Sequence, residues 1–260
     1  LTEMDLTETG DTVMVGSIAY TRSIGDYLTV YFSNGGAGSA LFSKACVYEG
    51  QTNVLDDCAN VATDMDTGLG QAFSASVDVG NGLGFAVGYE GENSSDGLMT
   101  DEGVDAYGFQ VSYIKDNFGV SYVLGQSENF NANDNSLTGG ETEYQAINAF
   151  ITPTIDRFPS ISFGLEWSDN NDIADEDLDE TTHYFIGAQF DNVGNGTLGA
   201  AVGSKTPTVE NADAETMWEA YYAYNYADGI TITPVVYVKE NAAVNTDDET
   251  GIILKTSFEF

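Results

Sequence analysis

Leu83-Gly84-Phe85-Ala86-Val87-Gly88-Tyr89-Glu90 is the stretch that decides the fold of this chain. Leu83, Phe85, Val87 and Tyr89 take every second position, with Gly84, Ala86, Gly88 and Glu90 between them. A period of two belongs to a strand whose successive side chains point to opposite faces, here one large and apolar and the other small or polar. The pattern returns as Tyr107, Phe109, Val111 and Tyr113 against Gly108, Gln110 and Ser112, and as Phe118, Val120, Tyr122 and Leu124 against Gly119, Ser121 and Gly125. Ile161, Phe163, Leu165 and Trp167 against Ser160, Ser162, Gly164 and Glu166 repeat it again. Helical spacing is not sustained beyond a turn, so the chain is nearly all strand. About thirteen segments alternate, near 12–21, 26–34, 71–80, 83–91, 104–115, 117–128, 142–152, 159–168, 181–191, 195–205, 216–227, 229–240 and 249–260. Each has roughly the ten residues that a tilted membrane strand requires.

The connections are sorted by length. Short turns follow every second strand, at Ile24-Gly25-Asp26, Gly80-Asn81-Gly82, Lys115-Asp116-Asn117, 192–196 and Ala227-Asp228-Gly229, with the Asn-Gly and Asp-Gly chemistry of tight hairpins. Between them lie long polar segments, 35–69, 92–103, 129–141, 169–180, 206–215 and 241–248, which hold most of the acidic residues. Short turns at one rim and long loops at the other is how outer-membrane barrels are built. Backbone groups facing hydrocarbon must all be paired, which requires such a sheet to close. The expected fold is therefore an all-β transmembrane antiparallel barrel, a single domain over residues 1–260, with an even total of about 14 to 16 strands. Thirteen recognisable segments fall short of an even number, so the chain is expected to lack an N-terminal strand or more, or to begin one within residues 1–10 that alternation does not reveal.

Acidic residues number 42 against 7 basic ones, a net charge of -35 that repels nucleic acid and attracts cations. Hydrophobic residues at 42% and aromatics at 12% are too abundant for a disordered chain. No apolar run approaches the roughly 18 residues of a membrane helix, no signal-peptide core is visible, and Leu1 reads as the start of a mature or trimmed chain. Cys46 and Cys58, the only cysteines, read as one disulfide formed in an oxidising compartment. A metal pair competes, but no third or fourth ligand of matching type lies nearby and the single histidine is the distant His183.

The last strand, GIILKTSFEF, sets Ile252, Leu254, Thr256, Phe258 and Phe260 on one face, and an alternating strand that closes on a terminal Phe resembles the outer-membrane insertion signal. MWEAYYAYNYADGITITPVVYVKE (Met217 to Glu240) followed by that strand resembles the last three strands of cyanobacterial outer-membrane porins, relatives of the carbohydrate-selective, OprB-like family. Residues 104–126, with DAYGFQVSYIKDNFGVSYVLGQ, resemble the repeated hairpins of the same group. The resemblance covers most of the chain, least of all 35–69. It implies a homotrimeric passive channel for ions and small solutes, in the outer membrane of a Gram-negative-type bacterium, a cyanobacterium. Those porins usually carry an N-terminal S-layer-homology domain that grips the cell wall; no such segment precedes the first strand here, in line with a shortened N-terminus.

If the apolar faces meet lipid, the opposite faces line the lumen, which assigns Asp78, Glu90, Glu166, His183, Lys205, Glu219, Lys239, Lys255 and Glu259 to the pore wall. Lys205, Lys239 and Lys255 form a basic strip facing acids, or charges that are merely solvated. Segment 35–69 is too long for an ordinary loop and is expected to enter the barrel as a constriction stiffened by the disulfide, with Glu49, Asp56 and Asp57 as its carboxylates; an exposed, stapled surface loop is the alternative. The acidic run 169–180 lacks the ligand spacing of a dedicated calcium loop and reads as a solvated loop gathering Ca²⁺ loosely; no metal ligands or cofactor are assigned. Trp167, Trp218, Tyr222, Tyr224 and Tyr226 read as interfacial girdles, while Tyr31, Tyr221 and Tyr237, if inward, can stack on sugar rings.

An enzyme is not expected: there is no nucleophile–histidine arrangement or phosphate loop, and nothing sets Glu166 and Glu219 at a glycosidase separation. The expected function is an outer-membrane porin passing cations and small hydrophilic solutes, its partners being the lipid bilayer, two further copies and the solutes. A carbohydrate- or organic-solute-selective porin, a non-conducting structural or adhesive barrel and a secreted calcium-binding sandwich are the alternatives.

Overall fold

A computed structural model describes residues 16–59, 70–92, 104–131, 136–155, 158–170, 180–204, 208–209, 215–241 and 247–259. Its strands are β1 (Ile18–Ile24), β2 (Leu28–Asn34), β3 (Gln71–Gly80), β4 (Leu83–Glu92), β5 (Val104–Lys115), β6 (Phe118–Asn131), β7 (Ser136–Ile151), β8 (Ser160–Asn170), β9 (Glu180–Phe190), β10 (Gly196–Ser204), β11 (Thr208–Val209), β12 (Thr216–Ala227), β13 (Ile230–Lys239) and β14 (Glu249–Phe258). Thirteen of them form one antiparallel sheet in chain order, and the two-residue β11 pairs off that path with β9. Among the described residues β1 and β14 end the path without pairing to each other, and both are exposed along most of both faces.

The hairpins follow from local chemistry. Asn81 and Gly82 both take positive φ, 56° and 87°, as a two-residue turn that continues the right-handed twist of its strands demands. Gly229, at φ 69°, turns β12 into β13, and a β-bulge between Asn225 and Ala227 precedes it.

The two faces of the sheet are inverted relative to a water-soluble protein. Phe85, Val87, Phe109, Leu124, Phe163, Ile186, Leu198, Trp218 and Val236 are exposed on the outside, whereas Ser74, Gln110, Ser121, Asn148, Ser162 and Glu219 are buried on the inside. Such an exterior is stable against hydrocarbon and costly against water. Tyr89, Tyr107 and Tyr122 stand outward on successive strands and donate their hydroxyls to Asp105, Gln126 and Gln145. The small inner residues have a packing role. Tyr144, Phe150, Tyr221 and Tyr237 each lie over the glycine directly opposite on the neighbouring strand, Gly125, Gly119, Gly199 and Gly251. A methyl on Gly199 would fall 2.2 Å from the Tyr221 ring, so the large inner rings require glycine beneath them.

Three boundaries differ from expectation. The first strand runs Ile18–Ile24 instead of 12–21, of which 12–15 lie outside the described residues. The expected loop 129–141 is mostly strand, because β6 and β7 continue to Asn131 and from Ser136. Its polar residues read as loop, yet backbone pairing continues through Phe130–Leu137 and Asn131–Ser136. The short-turn rim also carries one longer connection, 152–159 between β7 and β8.

Candidate functional site

The segment after β2 turns inward. Its first fastening depends on Gly38, whose backbone comes so close to β4 that a Cβ would sit 2.7 Å from the Tyr89 carbonyl oxygen. That approach lets the Gly38 N–H donate to Glu90 Oε2 at 3.0 Å. Phe42 then buries its ring among Ala86, Ala106, Val123, Ala146 and Tyr144 of β4 to β7, where the small inner residues leave it room. Burying such a ring contributes on the order of 1.5–3 kcal/mol.

From there the backbone steps along the wall. Ser43 N–H donates to Gln110 Oε1 at 2.5 Å, and Gln110 Nε2 donates back to the Ser43 carbonyl at 3.2 Å. Ser162 Oγ on β8 accepts from the amides of Val47 and Tyr48 at 3.0 and 3.2 Å. Gln189 on β9 accepts from Glu49 N–H at 3.0 Å. Glu219 on β12 accepts from three donors: Tyr48 Oη at 2.8 Å, Gln51 N–H at 3.0 Å and Thr52 N–H at 2.9 Å. Lys255 of β14 reaches Gln51 Oε1 at 3.4 Å. Backbone N–H groups withdrawn from water need acceptors, and five wall side chains on five strands supply them in sequence.

The far end of the segment is a closed ring. Cys46 and Cys58 are bonded with Cα atoms 6.1 Å apart. Gly50 permits the closure, since a Cβ there would lie 2.4 Å from Asp56 Cα. Tyr48, Leu55 and Cys58 of the ring pack against Phe185, Ala201, Met217, Tyr221, Val235 and Tyr237 of the wall. The Tyr48 ring centre lies 5.5 Å from that of Phe185 and 5.8 Å from that of Tyr221. Burial, and then the charge of Glu219, push the Tyr48 hydroxyl well above its ordinary range, so it remains a donor at any pH the protein meets. Asp56 sits in a 3-10 turn at Asp56–Cys58, where burial and the adjacent Asp57 lift its carboxyl to about 6 against an opposing pull from Lys44. Asp57 itself pairs with Lys44.

The expected site residues divide into groups. Glu90, Glu166, His183, Glu219, Lys239 and Lys255 stand on the inward face; Glu90, Glu219 and Lys239 are buried and Lys255 is exposed. Glu166 and His183 are direct cross-strand neighbours, and His183 Nε2 lies 3.1 Å from the Ser204 carbonyl. Asp78 and Glu259 are at the short-turn rim, where Asp78 Oδ1 accepts the Gly80 N–H at 2.8 Å. Lys205 lies outside the described residues, as do Phe260 and 171–179 of the acidic run. Glu49, Asp56 and Asp57 are all carried by the inserted segment. Tyr31, Tyr221 and Tyr237 share the inward face, but Tyr221 and Tyr237 are only 3% and 7% exposed beneath the ring and neighbouring strands, which closes them to sugar stacking. Trp167, Trp218, Tyr224 and Tyr226 are exposed on the outside. Gln110, Ser162 and Gln189 went unrecognised as fasteners: alternation marks them as inward and polar, while their partners are more than sixty residues away.

No known family model and no curated protein sequence matches the chain. Solved structures do. Pseudomonas putida OprB, in its high-pH structure, is 12% identical, with a TM-score of 0.56 over 94% of this chain and 72% of that one. Salmonella typhi OmpF, in complex with daunomycin, is 14% identical, with a TM-score of 0.57 over 93% of this chain and 89% of that one. A triple mutant of Rh. blastica porin is 13% identical, with a TM-score of 0.54 over 94% and 77%. What the chain shares with these proteins at such identity is the architecture, and its fold is that of a porin β-barrel.

Proposed function

We propose that this protein is an outer-membrane diffusion channel for cations and small hydrophilic solutes, narrowed from within by the disulfide-closed segment 35–59. The observation that carries it is the segment's own position: packed against the polar face of a sheet whose other face is apolar, it carries Glu49, Asp56 and Asp57. Carboxylates in a narrow, partly desolvated passage raise the local cation concentration, and the -35 charge of the whole chain adds a field of the same sign. The porin fold neighbours support a channel over an enzyme. A Gram-negative-type outer membrane is supported by those neighbours, and a trimer of cyanobacterial type rests on the sequence resemblance of residues 104–126 and 217–260. The carbohydrate-selective alternative loses its best support with the covering of Tyr221 and Tyr237.

Purified protein in a planar bilayer under a KCl gradient tests this. Ohmic steps with a reversal potential on the cation side are expected. Reversal on the anion side would overturn the selectivity and move weight to Lys239 and Lys255, and absence of conductance would leave a structural or adhesive barrel.

A further inference from the structure

One wall residue gathers three donors from the ring. Gln110, Ser162 and Gln189 each hold one or two of its donors, whereas three converge on Glu219, two of them consecutive backbone amides and the third the Tyr48 hydroxyl. All three donors come from within the ring closed by Cys46 and Cys58. Glu219 is 1% exposed, and its carboxylate lies against the Tyr48 hydroxyl. A buried carboxylate is tolerated only when its oxygens are satisfied, and here the satisfaction is supplied by an element with no strand pairing of its own to hold it.

We infer that Glu219 is the positioning residue of the constriction: the disulfide-closed ring 46–58 is a carboxylate receptor, Glu219 is its built-in ligand, and this docking sets the aperture. The inference rests on reading segment 35–59 as the constriction. The ring is pre-shaped by the disulfide and by the turn in which Thr52 O accepts from the Leu55 and Asp56 amides at 3.2 and 3.0 Å, so its donors point together before docking. Charge-assisted bonds of this kind are about twice as strong as neutral ones, which separates Glu219 from the amide and hydroxyl fasteners beside it.

The test is amide hydrogen exchange on the folded, detergent-solubilised barrel, alongside single-channel recording. Glu219→Ala removes a CH2–COO⁻ group, which acetate reproduces. In this variant, exchange at Gln51 and Thr52 is expected to accelerate by at least about tenfold, since a hydrogen bond to a charged group is lost at each. The channel is expected to conduct in larger, noisier steps. Added sodium acetate is expected to restore protection and quiet the current, whereas acetamide, neutral and of the same shape, is not. Glu219→Gln and Tyr48→Phe, gentler changes that keep the packing, are expected to give smaller accelerations if Glu219→Ala fails to fold. Unchanged exchange in the folded variants would overturn the docking. Acceleration that acetate does not reverse would reduce Glu219 to a packing residue and overturn the receptor. Faster exchange with unaltered steps would overturn its control of the aperture. A wild-type protein that never conducts would overturn the channel itself, while the exchange data would still decide the docking.

Discussion

Asp56 is an acid of the inserted segment whose charge depends on its surroundings. Its carboxyl is lifted from 3.8 to about 6 by burial and by Asp57, so the seated segment binds a proton that a free aspartate would have lost. The sign follows: a raised carboxyl favours the seated form most below about pH 4, and that advantage is lost as pH rises through 6. The constriction also gains a negative charge over the same interval. Cation preference, read as reversal potential under a KCl gradient, is therefore expected to rise between pH 5 and 7 with a midpoint near 6, and to lose that step in Asp56→Asn. A step of undiminished size in the variant would move the titrating charge elsewhere. Lys44 differs because its ion pair with Asp57 is largely exposed, and such pairs contribute little, about 0–1 kcal/mol.

At the scale of elements, strands and segment are held by different means. Each strand is paired with its sheet neighbours, while among the described residues segment 36–59 is fastened to the wall by side chains, two apolar clusters and one disulfide. Opening the Cys46–Cys58 bridge frees a ring of about a dozen residues, for which loop-closure entropy gives a stabilisation of about 3 kcal/mol. That loss falls on the segment and not on the sheet. Reduction, or the double change Cys46→Ala and Cys58→Ala, is expected to speed proteolysis within 35–59 several-fold while leaving the temperature at which the barrel shifts its gel mobility unchanged. A parallel fall in that temperature would mean that the segment and the wall unfold as one unit.

Across the whole molecule the governing feature is the inverted sheet. Leu124 stands outward near the middle of β6 and is 45% exposed, a position that suits hydrocarbon. Leu124→Arg is expected to cost about 2–4 kcal/mol of barrel stability at the bilayer midplane. Urea titration of protein folded into lipid vesicles measures it. A loss below about 0.5 kcal/mol, the usual bound for a surface site away from special features, would mean that this face meets water.

Much of this was legible locally. Alternation depends only on neighbouring residues, so it set the strands from Gln71 onward, the outward and inward faces, and the hairpins at Asn81-Gly82 and Asp228-Gly229. With only two cysteines in the chain, one pairing was available. Polarity misled where β6 and β7 extend to Asn131 and from Ser136, because backbone pairing continues there without apolar alternation in the sequence. What tertiary structure alone decided is the path of segment 35–59. Its fastenings join residues 52 to 204 positions apart, from Gly38–Glu90 to Gln51–Lys255. Each wall residue looks alike in sequence, an inward polar side chain among many. Only the pairing of the strands side by side brings these acceptors past the segment in the order in which its amides need them, because a backbone withdrawn from water must find its partners wherever the fold sets them.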